Sequence, residues 1–304
     1  MGNNRIFYSC LGVALAAPNA LLPRIQSADI SASQSIEYSL GPEGIVGFYA
    51  NSPDISCSYT QIIHSFDDFN EDPNQFVDLY MLVGPDNVDS LTNPTKYILC
   101  RYLLLESIEY NLSVQGFFNM TKTFKGFSRY VCDYNGGSSL SSNDVFTPSK
   151  QNFNLNLSSL PDTLSTNPIQ NITIKKSFNR KPILESGTKT PYAFVSTVPT
   201  ETTISVEMIS QNLDHNDDGY DQTFSTVSCS GPTATSSSID ISICSFINEI
   251  ETNSSLSFSG YLSSINYSGG DSTGSNQTIN IEYTSYDSST NFIEFPDVPT
   301  TGCF

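Results

Sequence analysis

Apolar and β-branched residues alternate with Ser, Thr and Asn through most of this chain. The runs are Ile30 to Tyr38, Ile55 to Tyr59, Tyr97 to Leu104, Ile108 to Phe118, Ile172 to Ile174, Thr202 to Ile209, Ile239 to Phe246, Leu256 to Tyr267 and Ile279 to Tyr286. A period of two places every second side chain on one face of a strand, and Gly, Pro, Asn and Ser clusters between the runs mark turns. The pattern therefore predicts a mainly β protein. The opening stretch imitates a secretory signal, with one Arg, an apolar run and small residues near Ala14 to Ala17. We read it as a first strand, Arg5 to Ala16, ending at the turn Pro18-Asn19. Two segments break the alternation. Tyr59 to Phe66 and Gln75 to Leu82 carry apolar residues at mixed spacing beside acidic ones, and predict short helices flanking a sheet.

Residues 136–168 are rich in Ser, Asn and Pro and nearly uncharged, a composition that predicts a linker or extended arm. The two sides of this stretch repeat one another. Ile25-Gln26, Ile30 and Ser33 recur at the same spacing as Ile169-Gln170, Ile174 and Ser177. Gly41 and Pro53, twelve residues apart before the strand of Ile55 and Cys57, correspond to Gly187 and Pro199 before the strand of Ile204 and Val206. The pattern L-x-S-I-x-Y occurs at Leu105 to Tyr110 and at Leu262 to Tyr267, each followed by N-x-T, at Asn119 and then at Asn276. Three blocks in one order predict a tandem duplication of one β domain, residues 1–135 and 169–304.

Composition narrows the function classes. The chain has 304 residues with 31 Asp and Glu against 13 Lys and Arg, a formal net charge of −18, yet only 14% are charged and 12% are aromatic. The aromatics exclude an acidic disordered tail, and the charge sign opposes a protein that grips nucleic acid by its phosphates. No apolar run approaches the roughly 18 residues of a membrane-spanning helix. Seven widely spaced cysteines include no C-x-x-C pair and read as scattered thiols, without a disulfide framework or zinc site. Seven N-x-S/T sequons match the number expected by chance, about six for this Asn and Ser/Thr content, and carry no information on glycosylation.

Little points to catalysis. His64 and His215 are the available imidazoles, with no G-x-S-x-G elbow, phosphate loop or dinucleotide loop, and without Trp there is no usual sugar-stacking platform. No enzyme activity and no cofactor are expected. Asp214, Asn216, Asp218 and Gly219 match the opening of a calcium loop, but Ser225 stands where the bidentate Glu belongs, and an acidic solvated turn is the alternative. Asp67, Asp68, Glu71 and Asp72 read as a solvated loop.

Several stretches carry a family resemblance. R-I-F-Y near the start, I-Q-S-A-D-I-x-A-S-x-S-I-E-Y-S-L-G from Ile25, and F-Y-A-N-S-P-D-I-S-C-S-Y from Phe48 resemble structural proteins of tailed bacteriophages. So do R-K-P-I-L-E-S-G-T-K-T-P-Y-A-F-V, Arg180 to Val195, and the stretch Leu262 to Tyr283. Such proteins look like tail tube proteins, whose β-sandwich with a flanking helix assembles into stacked rings. The resemblance implies a virion tail protein assembled in the host cytoplasm. Its partners would be itself, as trimeric pseudo-hexameric rings, other tail or neck proteins, and DNA passing through the lumen without specific binding. It also implies inter-subunit loops from Gly41 through Tyr49 to Pro53 and from Gly187 through Phe194 to Pro199. The competing reading is a capsid decoration or fibre-type binding protein.

Overall fold

The computed structural model describes residues 8–18, 21–42, 44–85, 96–134, 151–157, 168–185, 191–197, 199–209, 236–247, 250–269, 278–287 and 292–294. These residues are almost all strand. In the first half they form β1 (Tyr8–Leu15), β2 (Ile25–Ser33), β3 (Ile36–Gly41), β4 (Gly44–Ala50), β5 (Asp54–Ile62), β6 (Val77–Pro85), β7 (Lys96–Ser113), β8 (Asn119–Gly126) and β9 (Ser128–Asp133). The second half contributes β10 (Gln151–Leu157), β11 (Ile169–Ser177), β12 (Arg180–Ile183), β13 (Ala193–Ser196), β14 (Thr200–Ile209), β15 (Ser237–Ile247), β16 (Ile250–Ser268), β17 (Thr278–Asp287) and β18 (Phe292–Glu294).

Every ladder is antiparallel, and a single 13-stranded sheet follows the order β10-β15-β16-β17-β14-β11-β7-β8-β5-β2, with β1, β6 and β9 attached through β7. The two halves repeat one topology. In the first, β2-β5-β8-β7 lie side by side and β7 continues into β6 and β1; in the second, β11-β14-β17-β16 lie side by side and β16 continues into β15 and β10. The hairpin β3-β4 interrupts the path between β2 and β5, as β12-β13 does between β11 and β14. Even the irregularities recur. A bulge falls between Ile25 and Ser27 against β5 and between Ile169 and Asn171 against β14. Another falls between Leu105 and Ser107 against β8 and between Leu262 and Ser264 against β17. The repeated I-Q and L-x-S sequences thus lie where one extra residue bends a strand.

The long strand β7 belongs to two layers. Its first part, from Lys96, lies between β6 and β9; its second part, to Ser113, lies between β8 and β11. The change of layer occurs at Tyr102, whose φ of 54° is left-handed. Asp78 holds this bend, its carboxylate accepting from the Tyr102 backbone N–H at 3.0 Å and from Arg101 Nε at 3.1 Å. Between the layers, Val13, Leu79, Cys100 and Leu103 join Cys57, Tyr59, Ile108, Tyr110 and Phe124 in one core that continues into Ile172, Ile204, Ile243 and Ile281. The Cys57 thiol donates to Cys100, and that contact together with burial holds its pKa far above the ordinary value.

Several expectations require correction. The stretches Tyr59 to Phe66 and Gln75 to Leu82 are not flanking helices. β5 runs on through Ile62 and is followed only by a 3₁₀ turn, Asp67–Asn70, while the second stretch enters β6. β6 is buried on both faces: Leu79 enters the main core, while Tyr80 and Leu82 pack with Ala14, Tyr97 and Cys132 on the other side. A strand covered twice has no alternation to reveal it. Within the stretch expected as a connection, Gln151 to Leu157 form β10 and pair along their whole length with β15; residues 136–150 and 158–167 lie outside the described residues. Cys132 is disulfide-bonded, against the expectation of scattered thiols, whereas Cys10, Cys57, Cys100 and Cys244 keep their thiols.

Gly126 closes β8 against the β7 bend. A Cβ there would lie 2.6 Å from Leu103 Cδ2 and 3.5 Å from the carbonyl oxygens of Arg101 and Tyr102, and Leu103 is fully buried. Gly126→Ala should lower stability by about 1–3 kcal/mol through overpacking. The cost should shrink in a Leu103→Ala background, which a double-mutant cycle of denaturant midpoints measures.

Candidate assembly surface

The eight strands β2-β5-β8-β7-β11-β14-β17-β16 present one apolar and one polar face. Inward positions such as Tyr59, Met120, Ile108, Ile174, Ile204 and Ile281 are buried. The alternate positions are mostly Ser, Thr and Asn, tied across strands by Thr60–Thr121 hydroxyls at 2.9 Å, Ser205 Oγ donating to Asn280 Oδ1 at 2.7 Å, and Ser268–Thr278 hydroxyls at 2.8 Å. The charges on this face include Asp29, Asp54, Glu106, Glu109, Glu201, Glu207 and Glu282, against Lys125 and Lys175. Lys125 lies 3.5 Å from Asp54 and Lys175 lies 3.9 Å from Glu109, so both cations are offset locally and the face remains acidic.

The two repeats meet where β11 pairs with β7, in register from Asn171↔Ser113 to Ser177↔Ser107. On the apolar side of this seam Ile108, Tyr110, Leu112, Ile172 and Ile174 are all 0% exposed. A loop of the first repeat, residues 63–76, then clasps the second. The Phe66 N–H donates to Ser254 Oγ at 3.0 Å, Lys176 Nζ donates to the Phe69 carbonyl at 3.3 Å, and Arg180 donates to the Pro73 carbonyl at 2.7 Å and to the Leu105 carbonyl. Lys176 also sits over the Phe69 ring at 4.8 Å. Burial pulls the Lys176 pKa below its usual value and lowers that of the Arg180 guanidinium to about 10, leaving the guanidinium charged at neutral pH.

Beneath the loop lies a cation that the sequence reading missed. Lys122 is 3% exposed at an inward position of β8, between Met120 and Phe124, where the second repeat has Ile281. Its ammonium pairs with Glu71 and, at 3.3 Å, with Asp68. Part of the expected solvated loop is therefore a counter-charge for a buried lysine. The available signal was the alternation in N-M-T-K-T-F-K-G, which turns Lys122 inward. Burial, with Glu71 and Asp68 adding to it, pushes the Tyr59 phenol well above its ordinary pKa, and Tyr110 is raised for the same reasons.

The expected inter-subunit loops are largely hairpin. Gly41 ends β3 and Tyr49 lies in β4; Gly44, at φ 116°, makes the turn that only glycine adopts without strain. Asn51 ties the base of this hairpin, donating from Nδ2 to Ser35 Oγ at 2.8 Å and to Glu37 Oε1 at 3.0 Å; Pro53 follows before β5. Phe194 does not extend outward. It is 4% exposed in β13, packed with Leu104, Phe127 and Ile293. Pro199 is exposed just before β14, and Gly187 lies outside the described residues. The hairpins display Ile36, Tyr38 and Tyr192, each at least half exposed, and Leu184 beside them is similarly exposed. A cleft of about 520 Å³, lined by Glu37, Asn51, Lys125, Arg180 and Leu184 among others, separates their bases.

The calcium candidates Asp214, Asn216 and Asp218, with His215, lie outside the described residues; no cluster of metal-binding side chains occurs among the described ones. No helix among the described residues is long and apolar enough to cross a membrane. No protein-family model matches the chain, and no curated protein sequence matches it.

Two predictions follow from the loop. Glu71→Gln leaves Lys122 with Asp68 alone, and should destabilise the protein by about 1–3 kcal/mol, less than a fully buried broken pair because Glu71 is partly exposed. Faster amide exchange across residues 63–76 in that variant is the matching readout. Burial, followed by the charge of Arg24, depresses the His64 pKa below 6.5, with Asp67 opposing. Below that value the unfolded chain binds the proton more readily, so this contribution to stability is complete above pH 6.5 and declines as pH falls through the window beneath it. His64→Gln should flatten that part of a stability–pH profile, and an unchanged slope would count against the assignment.

Proposed function

We propose that this chain is a structural protein of a virion, a tail tube subunit built from two tandem β-sandwich units, and that three chains supply six units to each pseudo-sixfold ring. The observation that carries this reading is the seam itself: two copies of one β unit joined edge to edge by β7 and β11, with a polar face continuous across the joint. A unit that joins its own copy in this way is suited to joining further copies. The face of Ser, Thr and Asn with excess carboxylates makes a channel wall that DNA can slide along, because like charge denies the phosphates any counterion-release gain. The exposed apolar residues of the two hairpins would reach the next ring of the stack.

Electron microscopy of the purified chain tests the reading. Hollow stacked rings one unit high are expected, whereas persistent monomers that bind glycans would favour the decoration or fibre-type alternative. Co-sedimentation tests the wall. Tubes of the parent chain should retain no duplex DNA at physiological salt, while Glu109→Lys, Glu207→Lys and Glu282→Lys together should produce retention that fades as salt rises.

A further inference from the structure

Two strand edges lie at the ends of the eight-strand path, and they are the counterparts of the two edges that meet at the seam. β2 occupies in the first repeat the place of β11 in the second, and the second part of β16 occupies the place of the second part of β7. At the seam, β11 and β7 pair with each other. Among the described residues, β2 pairs only with β5, and β16 from Tyr261 to Ser268 pairs only with β17.

We propose that β16 of one chain pairs antiparallel with β2 of a second copy, in the register of the seam. Transferring each seam pair to its counterparts gives Ser264↔Ser33, Ile265↔Ala32, Asn266↔Ser31, Tyr267↔Ile30, Ser268↔Asp29 and Gly269↔Ala28. The inference deepens the proposed function by naming its joint and rests on that reading for the ring alone; the pairing itself rests on the repeat.

Three observations support it. Side chains that the seam covers completely are incompletely covered at the ends: Tyr110 is 0% exposed but its counterpart Tyr267 is 40%, and Ile174 is buried where its counterpart Ile30 is only partly so. Neither edge carries a Lys or Pro along the proposed ladder, where Asp29 is the one charge. β2 reads I-Q-S-A-D-I-S-A-S, and Leu262 to Ser268 is uncharged. The bulges also agree, since those at Gln26 and Ser263 flank the proposed ladder as those at Gln170 and Glu106 flank the seam. Because β2 and β16 are different surfaces, the contact is heterologous and propagates until a ring closes.

Cysteine pairing tests both contact and register. Ser31→Cys and Asn266→Cys face each other in the proposed ladder, on the polar side. Under mild oxidation, a chain carrying both should give a ladder of disulfide-linked multimers. Two populations carrying one substitution each should give dimers only when mixed. Ser31→Cys with Ser268→Cys, slipped by two residues to a separation of roughly 7–8 Å, should link at least tenfold less. Equal linking by the slipped pair, or links no more abundant than in the parent chain, overturns the proposal. Hollow tubes without the specific link overturn this joint while leaving the tube reading standing. Specific links in assemblies that never stack uphold the joint and remove the tube.

Discussion

A strand edge is a row of backbone donors and acceptors that must be paired, covered or guarded, and the way this chain disposes of its edges governs the rest of its architecture. The first repeat meets the second by laying β11 along β7. That ladder makes one sheet of two units, sets the faces of both in common, and continues the core without a break from Tyr59 to Ile281. The bend at Tyr102 serves the same end. Turning β7 out of its first layer brings its later residues to an edge where β11 can pair, and Asp78 holds the turn by accepting from two neighbouring residues.

The two repeats have diverged where they touch. Lys122 and Ile281 occupy matching inward positions, but the first needs Asp68 and Glu71 to accompany it into the core. A buried ion pair is a poor source of net stability, because desolvation cancels most of the attraction. Here it has a geometric result: it fixes residues 63–76 over the sheet, where Phe66, Phe69 and Pro73 meet Ser254, Lys176 and Arg180 of the other repeat. The seam is thus held by a ladder, an apolar layer and a clasp together.

The β class, the repeat and most strands were legible in the sequence because one-sided burial leaves alternation behind. The motifs I-Q and L-x-S were visible as identities, though only the ladders explain them, since a bulge has no signature without its partner strand. The helix expected over Gln75 to Leu82 is a strand for a physical reason. β6 is covered on both faces, and the run Q-F-V-D-L-Y-M-L then carries neither period. Lys122 was legible in principle from the alternation of β8, but its partners lie some fifty residues away, and no local pattern connects an inward lysine to an acidic turn. The hairpins were read as loops because glycine and proline at their ends obscured the strands between.

Charge now has a place as well as a sign. A net charge of −18 on a chain with few charged residues leaves large areas to hydroxyl and amide groups, and the polar face of the eight strands is such an area. Its carboxylates stand apart among Ser, Thr and Asn, and its two lysines are each beside an acid. Cross-strand hydroxyl pairs such as Thr60–Thr121 satisfy polar groups within the face. A surface that grips a polyanion concentrates exposed Arg and Lys; this sheet instead turns Lys122 and Lys176 to its other side, where they hold the 63–76 loop. Alternation alone thus gives these strands two unlike faces, an apolar one on which the two repeats share a core and a polar one of hydroxyls, amides and carboxylates.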